Sequence, residues 1–501
     1  MQTESKIHPN PFCSFLRDSW LFVLVWLVII YRIIRNLFSY FFSADIYHML
    51  SAGKAISLFG VLKDDVFFVE SGHKIVIQQW LYDLFVFKVY DNFGKTGILC
   101  LTLCFAVLFI VLAVRLLRIF GVDTRIALTA VLLICLYDRE VISIRPGLLT
   151  MITLIIQVIL CELYFRSGKT IYLFMLPLLT LVEINTHAAL WIAHFIFLLP
   201  YIVPVPTVCK KYIHLEDHHI SIFKLSGPII GMIASLFINP YGINGITVLF
   251  DQSEIADLGI LDMKSPDFTS KYTLFLIVML IIFVFAYGKV KIHSSNAFMF
   301  LGTAIMMMIY IRNIQMFSIG VILILCDLLL VIPVGKITDK LKNTKKLIVT
   351  LSSVLVITCI VAAAVRFPFS ALIQDNPADS IFTPVAAVEY LNENASSDSR
   401  IYTDFNNGSY VSWSGYKIYF SSRTEGYCQN INGGYDLVGE YITVFNNTDV
   451  NSVESFETFL DKYSFEYLIV DSKNRMLPYL MMNEDYDDVL YGNGYVVFRA
   501  L

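Results

Sequence analysis

An aspartate and a histidine three residues apart, Asp45 and His48, stand in the stretch SADIYHMLSAGKAI just after the first long apolar run. At that spacing both fall on one face of a helix, and a carboxylate beside an imidazole is a pair suited to acid–base work or to holding a cation. Asp at a helix start is also an ordinary N-cap, so the pair gains meaning from what else lies at its depth. Polar residues recur at the outer ends of later apolar runs: Asp138, Arg139, Glu140 and Arg145; Glu183, Asn185 and His187; Asn239; Arg312 and Asn313. Ionisable groups near hydrocarbon are costly and by default face a protein interior or a wet cavity. Their recurrence at one depth points to a shared site.

The elements that must position these groups are mostly membrane spans. Of 501 residues, 57% are apolar and 16% charged, the balance of an integral membrane protein and not of a collagen, a coiled coil or a disordered chain. About 20 apolar residues cross a bilayer. Candidate spans are Trp20–Leu37, Gly97–Leu117, Ile126–Ser143, Leu148–Phe165, Ile171–Ile184, Ala188–Val203, Phe223–Ile238, Tyr272–Tyr287, Ala297–Ile311, Ile314–Val334 and Leu347–Val365, eleven in all. Trp20–Leu37 lacks a small-residue cleavage site after it and reads as a retained anchor. Lys and Arg crowd alternate loops, among them Arg115, Arg118 and Arg125, then Lys210 and Lys211, then Lys342, Lys345 and Lys346. Cationic loops stay cytoplasmic, which puts the amino terminus inside the cell and the carboxyl-terminal tail outside. The long first external loop, residues 39–96, holds two stretches of helical period, Asp45–Phe59 and Ile77–Tyr90.

The formal net charge of -4 conceals a division. Residues 1–366 carry 30 Lys and Arg against 22 Asp and Glu, and residues 367–501 carry 7 against 19. The first part reads as a transmembrane domain and the second as a separate acidic α/β domain, whose charge argues against nucleic-acid partners. In the tail SRIYTDF, YVSWSG, KIYFSS, EYLIVDS and GYVVFRA read as strands, and PVAAVEYLNEN and SVESFETFLDKYS as amphipathic helices. Tyr410, Trp413, Tyr419 and Tyr427, with Arg423 and Glu425, are either strand core or a sugar-binding surface. None of the nine cysteines shows a CxxC or Cys/His zinc spacing.

The ordered motifs DIYHMLSAGKAI, GHKIVIQQWLYDL, SIRPGLL, INTHAALW, INPYG, MKSPDF and RNIQMF, followed by the tail segment from Pro384 to Tyr427, resemble the bacterial multi-pass glycosyltransferases of the GT-C superfamily. The resemblance runs along most of the chain and implies a GT-C-like polytopic α-helical fold of about eleven spans. It implies an inverting transfer of sugar from a polyprenyl-phosphate-linked donor to a glycan, lipid or protein acceptor of the cell envelope, on the extracytoplasmic side. The acidic residue of the first external loop, here Asp45, is then the catalytic or metal-binding group. His48, Arg145, His187, Arg312 and Gln79 are the phosphate- or substrate-binding residues, Arg because it holds phosphate through two parallel hydrogen bonds. A divalent metal on Asp45 and His48 stays open, since two ligands do not define a site.

Two departures stand against that pattern. The histidine follows the aspartate by three residues rather than four, with Met49 in the usual place, and Gln79 precedes Trp80 where the group carries Glu. Glutamine is no base. A non-enzymatic transporter or an inactive scaffold of the same architecture is the rival reading.

Overall fold

A computed structural model of the chain describes residues 20–39, 44–138, 141–205, 215–248, 263–286, 289–333, 353–354, 357–358, 377–427, 429–445 and 452–501. The run Leu347–Val365 and the junction near residue 366 lie largely outside these residues. Helix α1 covers Trp20–Ser39, α2 Ala44–Phe59 and α3 Trp80–Ile119. They are followed by α4 (Thr124–Tyr137), α5 (Gly147–Ser167), α6 (Leu176–Thr186), α7 (Ile222–Ala234), α8 (Lys271–Ala286), α9 (Ser294–Ile309) and α10 (Ile314–Leu328). Among the described residues three stretches are long and apolar enough to cross a membrane: Trp80–Ile119, Gly147–Ser167 and Ile311–Val331. Shorter apolar helices, such as α4, α8 and α9, surround them.

α5 and α10 form the centre, and every residue of α10 except Gln315 is buried. On α8 the apolar Ile277, Ile281, Val284 and Phe285 are exposed, the surface a hydrocarbon-facing helix presents. The amphipathic stretch expected at Ile77–Tyr90 and the span expected at Gly97–Leu117 are one helix, α3, interrupted at Gly94, whose φ of 60° and ψ of -158° depart from helical values. The span expected over Ile126–Ser143 stops at Tyr137, because Asp138 turns to extended backbone and its buried carboxylate accepts from Ser318 Oγ at 3.1 Å. The region Ala188–Val203 is broken into short turns, Ala188–Leu190, Ala193–Ile196 and Leu199–Ile202, the last with Pro200 at its start.

Away from the Arg145 end of α5, strand β1 (Leu215–Glu216) pairs in parallel with β2 (Ile292–His293). The tail holds a four-stranded sheet of β3 (Ile401–Thr403), β4 (Tyr467–Asp471), β5 (Tyr486–Tyr491) and β6 (Tyr495–Ala500), in the order β3-β4-β6-β5. β3 and β4 are parallel, and the other pairs antiparallel. Helices α11 (Val385–Asn394), α12 (Gly408–Trp413), α13 (Leu437–Phe445) and α14 (Ser452–Tyr463) complete it.

Two expected strands take other forms. YVSWSG belongs to α12, because Tyr410 and Trp413, one helical turn apart, both pack outward on α2 and α3: Tyr410 meets Tyr47 edge-on at 4.7 Å and Trp413 meets Tyr90 at 5.7 Å. KIYFSS is extended, but Ile418 bridges Phe68 of the loop between α2 and α3 as well as Ile401. The tail is thus stitched to the loop by backbone hydrogen bonds, Ile418 N–H to Phe67 C=O at 2.8 Å and Val69 N–H to Ile418 C=O at 3.1 Å.

Candidate active site

The segment from α2 into α3 folds back as a helical hairpin. α2 and α3 approach closely at Gly53, where a Cβ would stand 2.2 Å from the Asp83 carbonyl oxygen; the small residues of LSAGKAI make that contact possible. This packing places Asp45, in the first turn of α2, over the start of α5. There Arg145 forms an ion pair with the Asp45 carboxylate, the side chains 46% and 37% exposed. The turn carrying Arg145 is held by Tyr82 of α3, whose hydroxyl donates to the Ile144 carbonyl.

The first turn of α5 is a hub. A Cβ on Gly147 would collide with the Gln315 side chain of α10 at 2.5 Å, so this glycine admits the segment RNIQMF. Arg312 lies in the turn Ile311–Asn313 that opens α10, and the Ile311 N–H donates to the Lys264 carbonyl of MKSPDF at 3.0 Å. One turn further along α5, Thr150 Oγ1 is 2.8 Å from His187 Nδ1 and donates to the buried carboxylate of Glu183. A second junction centres on Asn185: its Oδ1 accepts from Trp80 Nε1 at 3.1 Å, and its Nδ2 donates to the Ile238 carbonyl of INPYG at 2.9 Å. The Ala188 N–H donates to the Gln78 carbonyl at 3.0 Å.

The motifs read from sequence therefore meet in space, with Asp45 and Arg145 in direct contact, His187 one helical turn away through Thr150, and Arg312 on the adjoining turn. Gln79 sits at the N-cap of α3 and makes no side-chain capping bond. His48 is buried, and its carbonyl accepts from Ser51 Oγ at 3.0 Å.

Arg423 departs from the surface role considered for it. It is 3% exposed, lies 3.5 Å above the Phe67 ring, and donates to Ser51 Oγ and the His48 carbonyl of α2. The tail thereby grips the helix that carries Asp45. Burial pushes the neighbouring Asp65 carboxyl above its ordinary value despite Arg423. Tyr419 and Tyr427 are core, in the aromatic cluster with Tyr402 and Phe420, and the Glu425 side chain lies outside the described residues.

What the spacing of candidate residues missed is the partner of Glu183. Thr150, Thr153 and Gln157 lie on one face of α5, where Thr153 Oγ1 donates to Glu183 Oε2 at 2.9 Å and Gln157 Oε1 accepts from His194 Nδ1 at 2.6 Å. Polar residues at positions 150, 153 and 157 of an otherwise apolar run were the available signal. For a metal, among the described residues no group of three or more His, Cys, Asp or Glu is placed to hold an ion, and Arg145 occupies the Asp45 carboxylate.

Solved structures with this fold exist. The Archaeoglobus fulgidus oligosaccharyltransferase tethered with an acceptor peptide containing the NVT sequon superposes with a TM-score of 0.52 at 11% identity, over 92% of this chain and 70% of that one. The fold is GT-C-like. The apo form of the same enzyme gives a TM-score of 0.54 at 10% identity, over 91% and 70%. The archaeal oligosaccharyltransferase AglB from Archaeoglobus fulgidus, in complex with an inhibitory peptide and a dolichol-phosphate, gives 0.53 at 10%, again over 91% and 70%. No family model and no curated protein matches the sequence. With this GT-C-like helical domain and its strand-containing tail, the chain shares architecture with membrane enzymes of glycosyl transfer.

Proposed function

We propose that the chain is a membrane glycosyltransferase that moves a sugar from a polyprenyl-phosphate-linked donor to an envelope acceptor on the extracytoplasmic side. The observation that carries this reading is the half-exposed ion pair of Asp45 with Arg145 at the meeting point of α2, α5 and α10. The dolichol-phosphate held by the archaeal neighbour supports a lipid-linked donor. In the reaction an acceptor hydroxyl attacks the anomeric carbon. The new C–O bond forms as the bond from that carbon to the phosphate oxygen breaks, and the electron pair leaves with the lipid phosphate. In-line attack inverts the anomeric centre. The Asp45 carboxylate takes the hydroxyl proton, and Arg145, Arg312 and His187 stabilise the departing charge.

The ion pair gives this sequence an order. An arginine prefers a phosphate it can hold through two parallel hydrogen bonds, so the arriving donor draws Arg145 from Asp45 and releases the carboxylate to act as base. Gln79, unable to accept the proton, serves as a hydrogen-bonding group beside the donor.

Replacing Asp45 by Asn keeps shape and removes the base. In purified protein supplied with a polyprenyl-phosphate sugar, transfer is expected to fall by at least about 100-fold with an unchanged melting temperature. Retention of full transfer would reject the assignment and return the chain to the scaffold or transporter reading.

A further inference from the structure

The hydrogen-bond inventory around Thr150 leaves little freedom. A threonine hydroxyl has one proton to give and lone pairs to accept with. Thr150 Oγ1 contacts the Glu183 carboxylate on one side and lies 2.8 Å from His187 Nδ1 on the other. A carboxylate accepts, so the hydroxyl proton points to Glu183 and the hydroxyl oxygen accepts from Nδ1–H of His187. The ring is thereby protonated on Nδ1. Glu183 is 0% exposed, and its Oε1 is 3.9 Å from His187 Nδ1, the counter-charge that an imidazolium needs in apolar surroundings.

The carboxylate is itself fixed. Thr153 Oγ1 lies 2.9 Å from Glu183 Oε2 and 2.8 Å from the Thr150 carbonyl, sharing its proton between them, and His194 Nε2 stands 3.6 Å from the same carboxylate oxygen. Gln157 orients His194 from behind: its Nε2 donates to the His194 carbonyl at 2.8 Å, which leaves its Oε1 to accept from Nδ1–H at 2.6 Å. A network of this kind inside an apolar bundle is expensive to keep and by default marks function. It ends one helical turn, about 5.4 Å of rise, from Pro146 and the Arg145 pair.

We propose that Glu183 and Thr150 are positioning residues that hold His187 as a Nδ1-protonated imidazolium whose Nε2–H donates to the phosphate of a polyprenyl-phosphate ligand. The inference rests on the sugar-transfer reading and deepens it by assigning the phosphate contact. His187 keeps its proton throughout, stabilising the leaving group by hydrogen bond and charge. Arg145 then has a partner across the phosphate, and the lipid carrier is recognised by its head group without its sugar.

The test is binding, with neither sugar nor acceptor present. The full chain in detergent is titrated with a short polyprenyl phosphate and, in parallel, with the neutral polyprenol. Thr150→Ser retains the hydroxyl and is expected to bind the phosphate as the parent does. Thr150→Val and Glu183→Gln are expected to lose about tenfold or more for the phosphate and nothing for the polyprenol. A purely structural network would lower melting temperature without changing this selectivity. Valine and glutamine variants that keep the full preference for phosphate overturn the relay and leave the transfer reading standing. A parent chain that does not prefer phosphate over polyprenol overturns both. Should the valine variant fail to fold, the Glu183→Gln and Thr150→Ser pair decides.

Discussion

At one end of α5, Arg145 pairs directly with Asp45, both side chains more than a third exposed. At the other end, about 25 Å along the axis at 1.5 Å per residue, the polar groups are packed and paired. Glu162 accepts from the Tyr201 hydroxyl at 3.1 Å and stands 3.6 Å from His218 Nε2. His218 stacks on Phe165 at 3.8 Å and bonds Ser295, and burial pushes its imidazole down to about 3. Asp327 accepts from His293 Nδ1 at 2.6 Å, from its N–H at 3.0 Å and from Asn296 at 3.0 Å. Burial would lower His293, but the Asp327 bond and charge outweigh it and raise the imidazole above its ordinary value. The contrast separates two uses of charge in an apolar bundle. Buried pairs tie β1, β2 and α10 together, whereas a half-wet pair can exchange its partner.

The contrast can be broken by substitution. Arg145→Ala is expected to reduce transfer about 100- to 1,000-fold while stability shifts by no more than about 0.5 kcal/mol; a melting loss with activity intact would reverse the roles of the two ends. Asp327→Ala should do the opposite. It strands His293 and Asn296 and is expected to cost about 3 kcal/mol of stability, with specific activity of the folded fraction unchanged when assayed below the new melting temperature.

The tail supplies a third case. Asp404 is buried, accepts from Tyr402, Asn474 and the Asp471 N–H, and is pushed up to about 6 by burial. A carboxyl raised in the folded state favours folding when protonated. That contribution is complete below about pH 4 and lost as pH rises through about 6, amounting to about 3 kcal/mol at roughly 1.4 kcal/mol per unit. Amide exchange along β4 should quicken over that window, and Asp404→Asn should flatten the trend. The smallest effect is expected at Arg423, where alanine removes charge-assisted bonds to α2 worth about 2 kcal/mol. Limited proteolysis near Phe420 and the transfer rate would show whether the tail's grip reaches Asp45.

Apolar run length and loop charge made the helical membrane class legible, and the order of polar motifs brought the outer ends of the spans into view. Two things hid the rest. Hydropathy separates apolar from polar but not a span from the loop helix that continues it, so α3 was read as two elements. Pairings between distant stretches leave little local trace: nothing near Ile418 announces Phe68 as its partner, and Arg423 carries no mark that its target is a backbone carbonyl in α2. Tyr410 and Trp413 did carry a mark, a helical spacing that their aromatic character disguised as strand.

The break in α3 has a consequence of its own. Because Gly94 takes a φ of 60°, any other side chain there would meet a left-handed penalty of about 1–2 kcal/mol. A single residue without a side chain therefore sets the elbow at which the outer arm of α3, packed on α2 beneath Asp45, leaves the shaft that runs on to Ile119. Straightening that elbow would lift the α2 hairpin that carries Asp45 from the bundle while every other contact of the shaft stayed in place.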